Sequence, residues 1–329
     1  MDVSAEQTLS STGHPASAEP ARTAGRSSGL RTRWRRDAVL VCCLVPGVLV
    51  LLLFHYIPML GNVIAFQDYQ PFLGFSQSPW VGLQNFSIIV NGDPEFLNAL
   101  YNTLLLTLIQ TVFVFPVPIL LALLLNSLIS ERLKRLVQGI LYLPHFLSWV
   151  VVVALMQQLL GNAGLVNLLL MRHGLPTLHI VGNAHIFKAV ITSQVIWKDT
   201  GWGTIIFLAA LPRIDTNLYE AAATDGAGRL RQLWHVTLPG LRGLIILLLI
   251  LRLGDILSVG FEQIFLQQPA VGVEASDVLD TYVYNNGIVG GQWGMSAAVG
   301  LVKGIVGTAL VLGANRVAHI FGEQGVYQS

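Results

Sequence analysis

Six stretches of the chain, roughly 38–60, 99–125, 137–160, 185–211, 241–262 and 296–318, are long, apolar and poor in charge. A bilayer's hydrocarbon core is about 30 Å thick, and about 20 helical residues cross it. In lipid, only a helix or a closed barrel satisfies its own backbone hydrogen bonds. Runs this long exceed barrel strands, so the expected fold is all-α, a membrane protein with six transmembrane helices. Composition agrees. Of 329 residues, 53% are hydrophobic and 11% charged, against about 25% charged in soluble proteins. So little charge could not cover the surface of an ordinary soluble enzyme. The net charge of +1 gives no bulk attraction to nucleic acid.

Orientation follows from where Lys and Arg sit. With the N-terminus inside, the inner segments hold Arg31, Arg33, Arg35 and Arg36, then Arg132, Lys134 and Arg135, then Arg213, Arg229, Arg231 and Arg242, and finally Arg316. The outer loops 61–98 and 263–295 hold no Lys or Arg, but carry Asp68, Asp93, Glu95, Glu274, Asp277 and Asp280. Both termini are therefore expected in the cytoplasm of a cell carrying this multi-pass protein in its membrane. Residues 1–37 form a polar tail, expected to be disordered, and 319–329 a short cytoplasmic end. The first apolar run continues past the length of a signal peptide and reads as an uncleaved helix. Residues 164–171 are too few to span and read as an external or re-entrant helix. Cys42 and Cys43 are adjacent, point about 100° apart on a helix, and are not placed to bridge.

The segment 212–240, between the fourth and fifth runs, is the most informative. Residues 218–228 predict a short exposed helix, with Asn217 as its cap and Glu220 as reciprocal partner. Ala221, Ala222 and Ala223 give it a smooth face. Gly226 and Gly228 turn the chain. Leu230, Leu233 and Trp234 are spaced to lie on the bundle, and Pro239 suits the start of the next helix. Read from residues alone, this is either an amphipathic connector or a lever between a soluble partner and the spans.

Glu220-Ala221-Ala222, Asp225-Gly226-Ala227 and Leu238-Pro239 resemble the EAA loop of binding-protein-dependent ABC importers. Residues 142–150, 197–202, 260–264, 280–284 and 300–303 resemble the branch that carries oligosaccharides and polysaccharide breakdown products. The resemblance spans about 35–329. It implies a type I ABC importer permease fold over 38–318 and a permease forming half of a carbohydrate pathway. It implies coupling to ATPase subunits through Tyr219, Glu220, Ala221, Ala222, Asp225, Gly226, Ala227, Leu238 and Pro239. A second permease, in a heterodimer, and an extracellular solute-binding lipoprotein are the other implied partners. Two alternatives stay open: an ABC permease for a non-sugar solute, and a membrane receptor or scaffold that uses the loop only for docking.

The chain has no G-x-x-x-x-G-K-[ST] and no H-E-x-x-H or G-x-S-x-G. It is expected to be no enzyme and to hold no cofactor or metal, with ATP used by partner subunits. Its chemistry-bearing residues are the intramembrane charges, each costing about 2.5–3.5 kcal/mol at a helix centre unless it meets protein or water. Trp197, Lys198, Asp199, Trp202, Arg252, Asp255 and Glu262 are the candidate translocation path. Aromatic faces suit pyranose rings, and polar groups suit their hydroxyls. Arg252 and Asp255, three apart, are spaced to pair. Gly201 and Gly203 are expected to loosen the helix beside Lys198. Structural pairing between helices is the competing reading for these charges.

Overall fold

The computed structural model describes residues 28–320 and residue 322. The remaining tail residues, including most of the expected disordered segment, lie outside the described residues. The chain divides into two units, Met1–Gly61 and Asn62–Ser329. In the first, helix α1 (Ser28–Leu51) starts within the expected tail and continues through a π-turn, Leu52–Tyr56, to Ile57–Leu60. Arg is a good helix former, so a span already nucleated can extend through Arg31–Arg36.

The second unit contains α2 (Pro94–Phe113), α3 (Pro116–Asn126), α4 (Glu131–Tyr142), α5 (Trp149–Leu160) and α6 (Leu165–Arg172). It continues with α7 (Phe187–Ala210), α8 (Thr216–Thr224), α9 (Leu238–Gly254), α10 (Phe261–Val271), α11 (Leu279–Val283) and α12 (Trp293–Ile320). No regular strand occurs among the described residues; one isolated bridge pairs Gln67 with Trp80.

Among the described residues, five helical stretches are long and apolar enough to cross a membrane: Val41–Phe66, Pro94–Asn126, Trp149–Arg172, Arg229–Gly254 and Trp293–Ile320. The sixth expected crossing is α7. Its 24 residues make it about 36 Å long, but Gln194, Lys198 and Asp199 make its middle polar. The helix is continuous through Gly201 and Gly203, so these glycines do not loosen it.

Other boundaries move for identifiable reasons. The run 137–160 is not one helix. Ser130 caps the amphipathic α4, and a 3-10 turn over Leu143–Phe146 follows at Pro144. The backbone then extends at Leu147 and Ser148, and Ser148 caps α5. Proline has no N–H to give and crowds the preceding turn. The third long apolar stretch is instead Trp149–Arg172, broken at Gly161–Gly164 into α5 and α6. The fifth run stops at Gly254, well short of 262.

Three apolar clusters hold this unit together. Phe96, Leu279, Tyr282, Met295 and Val299 join α2, α11 and α12. Leu106, Phe187, Ile191 and Ile264 join α2, α7 and α10. Ile119, Ala122, Phe207, Leu211 and Leu241 join α3, α7 and α9. Buried carboxamides reinforce them. Gln263 on α10 donates to the Ile191 carbonyl (3.0 Å) and to Gln194 Oε1 (2.7 Å), and Gln267 donates to the same oxygen (3.0 Å). Nearby, Asp277 Oδ1 accepts from Thr281 (2.6 Å) and Gln268 (3.2 Å). The Thr103 hydroxyl accepts the Leu279 N–H at 2.8 Å.

Gly201 packs directly on the α4 end: a Cβ there would fall on the Leu141 carbonyl oxygen, which is backbone and cannot turn aside. Gly201→Ala is therefore expected to overpack this contact, costing about 1–3 kcal/mol. It should appear as lower yield and a lower apparent melting temperature in detergent. Gly300→Ala, with open space around it, should match the wild type.

Asp277 lies outside the spans. Burial pushes its carboxyl above the usual range, against the lowering by its Thr281 and Gln268 hydrogen bonds. The folded state thus holds this proton more tightly than the unfolded chain. Stability from this group is present at low pH and falls as pH rises from the ordinary carboxylate range, about 3.9, through the raised value. Asp277→Asn keeps an oxygen acceptor for both donors and removes the charge. The variant should flatten that pH dependence of the apparent melting temperature and be no less stable than wild type at pH 7.

Candidate functional site

The connector between α7 and α9 is built around α8. Asp215, not Asn217, caps it, with Oδ1 accepting the Asn217 N–H at 2.9 Å. An acceptor one residue outside the first turn reaches the free N–H groups better than one already inside it. At the other end, Gly226 sits at φ +76°. The Ala227 N–H bonds the Ala222 carbonyl (2.8 Å) and the Gly226 N–H bonds that of Ala223 (3.0 Å). This closure needs a left-handed residue, which glycine adopts freely. Glu220, Ala221, Asp225, Gly226 and Pro239 are exposed, and Tyr219, Ala222, Ala227 and Leu238 are half-buried.

One hydrogen bond ties α8 to the span, and the residues just ahead of it pack on the same foot. The Tyr219 hydroxyl lies 3.0 Å from Thr237 Oγ1. Ile214 and Leu238 pack beside Leu241 at the foot of α9. Leu230 and Trp234 do not lie on the bundle: they are 70% and 62% exposed, and only Leu233 of that trio is partly covered. The helix that starts at Arg229 runs through a π-turn, Leu233–Thr237, directly into α9. Pro239 follows that turn, as Pro58 follows the π-turn in the first unit. A proline ring collides with the carbonyl four residues back, and a widened turn relieves the collision.

The second group of candidate residues lies midway along α7. His145 Nδ1 is 2.9 Å from Asp199 Oδ1. Lys198 donates to the His145 carbonyl at 2.8 Å and stands 3.8 Å from Asp199. The Lys198 ammonium also lies 5.4 Å from the centre of the Trp149 ring, a cation–π geometry. Trp202 stacks on His145 with centroids 4.7 Å apart and planes 5° from parallel, and Phe146 meets Trp202 edge-on at 6.2 Å. Trp202 remains 47% exposed, so His145 covers one face and leaves the other open.

Arg252 does not close an ion pair on Asp255. Its guanidinium donates to Gln110 Oε1 on α2 at 2.9 Å. The helix ends at Gly254, so the regular three-residue geometry is lost at Asp255. Trp197 is 41% exposed and joins none of these contacts; neither does Glu262, which lies exposed in the first turn of α10, outside any span. Lys303 on α12 pairs with Asp280. His145 was not a site candidate by sequence, where it was one of eight scattered histidines. The signal that could have found it is the adjacency of His145-Phe146 to Pro144, a break that exposes side chains in an apolar run.

The comparisons with known proteins show the family. Residues 87–322 match the family model described as "Binding-protein-dependent transport system inner membrane component". The polygalacturonan/rhamnogalacturonan transport system permease protein YteP of Bacillus subtilis (strain 168) is 49% identical over 285 residues, covering 86% of this chain and 88% of that protein. Protein LplB of the same organism is 44% identical, covering 94% of this chain and 97% of its own. Among solved structures, a chain of a bacterial alginate ABC transporter in complex with an alginate pentasaccharide-bound periplasmic protein superposes with a TM-score of 0.79 at 36% identity. That alignment covers 90% of this chain and 99% of that one. The chain belongs to the family of inner membrane components of binding-protein-dependent transport systems: it is a multi-pass membrane permease of the type I ABC importer fold, not an enzyme, and works with ATPase subunits and a solute-binding protein.

Proposed function

We propose that this permease forms half of an import pathway for oligosaccharides, products of polysaccharide breakdown that include uronic-acid units. The observation that carries the transport role is α8, which stands exposed while its Tyr219 reaches Thr237 at the foot of a span and Ile214, just ahead of it, packs there with Leu238. An ATPase subunit grips Glu220, Ala221, Ala222, Asp225, Gly226 and Ala227, and its movement passes through Tyr219, Leu238 and Pro239 into α9. The substrate class is supported by the relatives, named for polygalacturonan and rhamnogalacturonan and for alginate. A second, different permease completes the pathway, and a lipoprotein delivers the sugar from outside. The distribution of Lys and Arg supports cytoplasmic termini, the N-terminal one in the polar tail 1–37.

The sugar path passes the open face of Trp202 and the charges of Lys198, Asp199, Arg252 and Asp255. A pyranose has apolar faces and a hydroxylated rim, so it stacks on an aromatic plane while polar groups meet the rim. Cations at Lys198 and Arg252 also suit a sugar carboxylate. Trp197 and Glu262, outside this cluster, take part only at the edges of the path.

Reconstitution with the partner permease and ATPase subunits in liposomes tests the reading: labelled oligosaccharide should accumulate only with ATP and binding protein. Gly226→Val should abolish uptake and leave membrane insertion intact, because a β-branched residue resists the left-handed turn while the spans are untouched. Wild-type uptake by this variant would remove α8 from the coupling route. Trp202→Ala should assemble normally, as pull-down of partner subunits would show, yet lose sugar stimulation of ATPase activity. Failure to assemble would assign Trp202 to packing.

A further inference from the structure

A cleft of about 520 Å³ opens where α5 ends, bounded by the turn into α6, the 179–183 loop and Ala270 of α10. This is within the range of small-molecule sites, about 300–1,000 Å³. Its polar lining is Gln157, Gln158, Asn162, His179 and Asn183, and no Lys, Arg, Asp or Glu lines it. The support beneath is fixed. Asn167, 1% exposed, donates to the Gly161 carbonyl (3.0 Å) and the Leu178 carbonyl (2.8 Å), and accepts the Leu178 N–H (2.7 Å). These three bonds fasten the α5–α6 turn to the start of the following loop. His179 Nδ1 then lies 3.1 Å from Asn162 Oδ1, and Asn183 donates to the His179 carbonyl at 3.2 Å. The walls are thus held by their own contacts, while the exposed Gln157 and Gln158 side chains keep both donor and acceptor groups for a ligand.

We infer that this cleft is a sugar subsite that holds an oligosaccharide by its hydroxyls, apart from the charged cluster around Lys198. The inference rests on the oligosaccharide reading above. A hydroxyl both donates and accepts, and carboxamides offer both roles side by side. An ion would find no countercharge here. A purely apolar ligand would strip water from five polar side chains without replacing their hydrogen bonds. The cleft lies between α5 and α7, in the segment that the charge pattern assigns to the outer face. There it meets the sugar before the path does. Because it has no formal charge, it reads the hydroxyl pattern and ignores the carboxylate, whereas the Lys198–Arg252 region responds to charge.

The test uses the assembled importer complex in nanodiscs without its binding protein, with trigalacturonic acid and its methyl ester as probes, read by titration calorimetry and saturation-transfer NMR. Wild type should bind the ester, which the Lys198–Arg252 charges do not favour, as well as the acid. The double variant Gln157→Leu with Gln158→Leu, and separately Asn162→Leu, should weaken binding of the ester at least tenfold. The two glutamines are exposed, so replacing them removes no buried contact, and Asn162→Leu provides an independent check. Binding of the acid alone, or unchanged binding by both variants, would overturn the subsite. Variants that lose only affinity for the binding protein would make the cleft a protein dock and overturn it too. ATPase stimulation by trigalacturonic acid with binding protein, measured on the same wild-type complex, separates the two levels. Stimulation present with variant binding unchanged overturns the cleft alone. Stimulation absent overturns the oligosaccharide reading and the cleft with it.

Discussion

The close approach of Gly201 to the Leu141 carbonyl is the contact on which the centre of the structure depends. Any larger residue would hold α7 away from the end of α4 and the Pro144 turn. Only at that separation does Lys198 reach the His145 carbonyl, Asp199 reach the His145 ring and Trp202 stack on it. A small residue thereby sets the geometry of three large polar ones. Lys198, costly in lipid, is 7% exposed here and meets a carbonyl, a carboxylate and an indole face.

The same requirement explains the carboxamide cluster. Gln194, Gln263 and Gln267 are buried among helices, where an unmet amide is expensive. Each finds another amide or a backbone carbonyl. Hydrogen bonds of this kind can fix which helix faces meet when apolar surfaces alone cannot, since lipid tails are as apolar as leucine. The pairing of Lys303 with Asp280 and the reach of Arg252 to Gln110 follow the same rule.

Much of this was legible in the sequence. Apolar run length located five crossings and the α7 helix, and the short motif around Glu220 and Gly226 located the exposed connector. The rest was hidden for physical reasons. Run length does not register a proline or a glycine inside apolar sequence, so the break at Pro144 and the stop at Gly254 were both missed. Spacing suggested an Arg252–Asp255 pair, but spacing holds only while the helix continues. Most of the mid-span cluster joins residues about fifty positions apart, His145 with Lys198, Asp199 and Trp202, and nothing local marks such a partner. Hydrophobic spacing also placed Leu230 and Trp234 inward, although both stand exposed on the helix that follows the Asp225–Gly226 turn.

The π-turn at Leu233–Thr237 has a mechanical consequence. Such a turn inserts one residue into the helical register, which offsets everything beyond it by roughly 100° about the axis. The foot of this helix and its membrane-embedded length are therefore out of phase by that angle. A displacement of the foot, where Tyr219 meets Thr237, would not reach the far end as simple translation. If the inserted residue migrates by a turn, the stretch it passes rotates while both ends stay in place. The span then behaves as a shaft with a built-in twist, able to convert an axial stroke into the turning of one face.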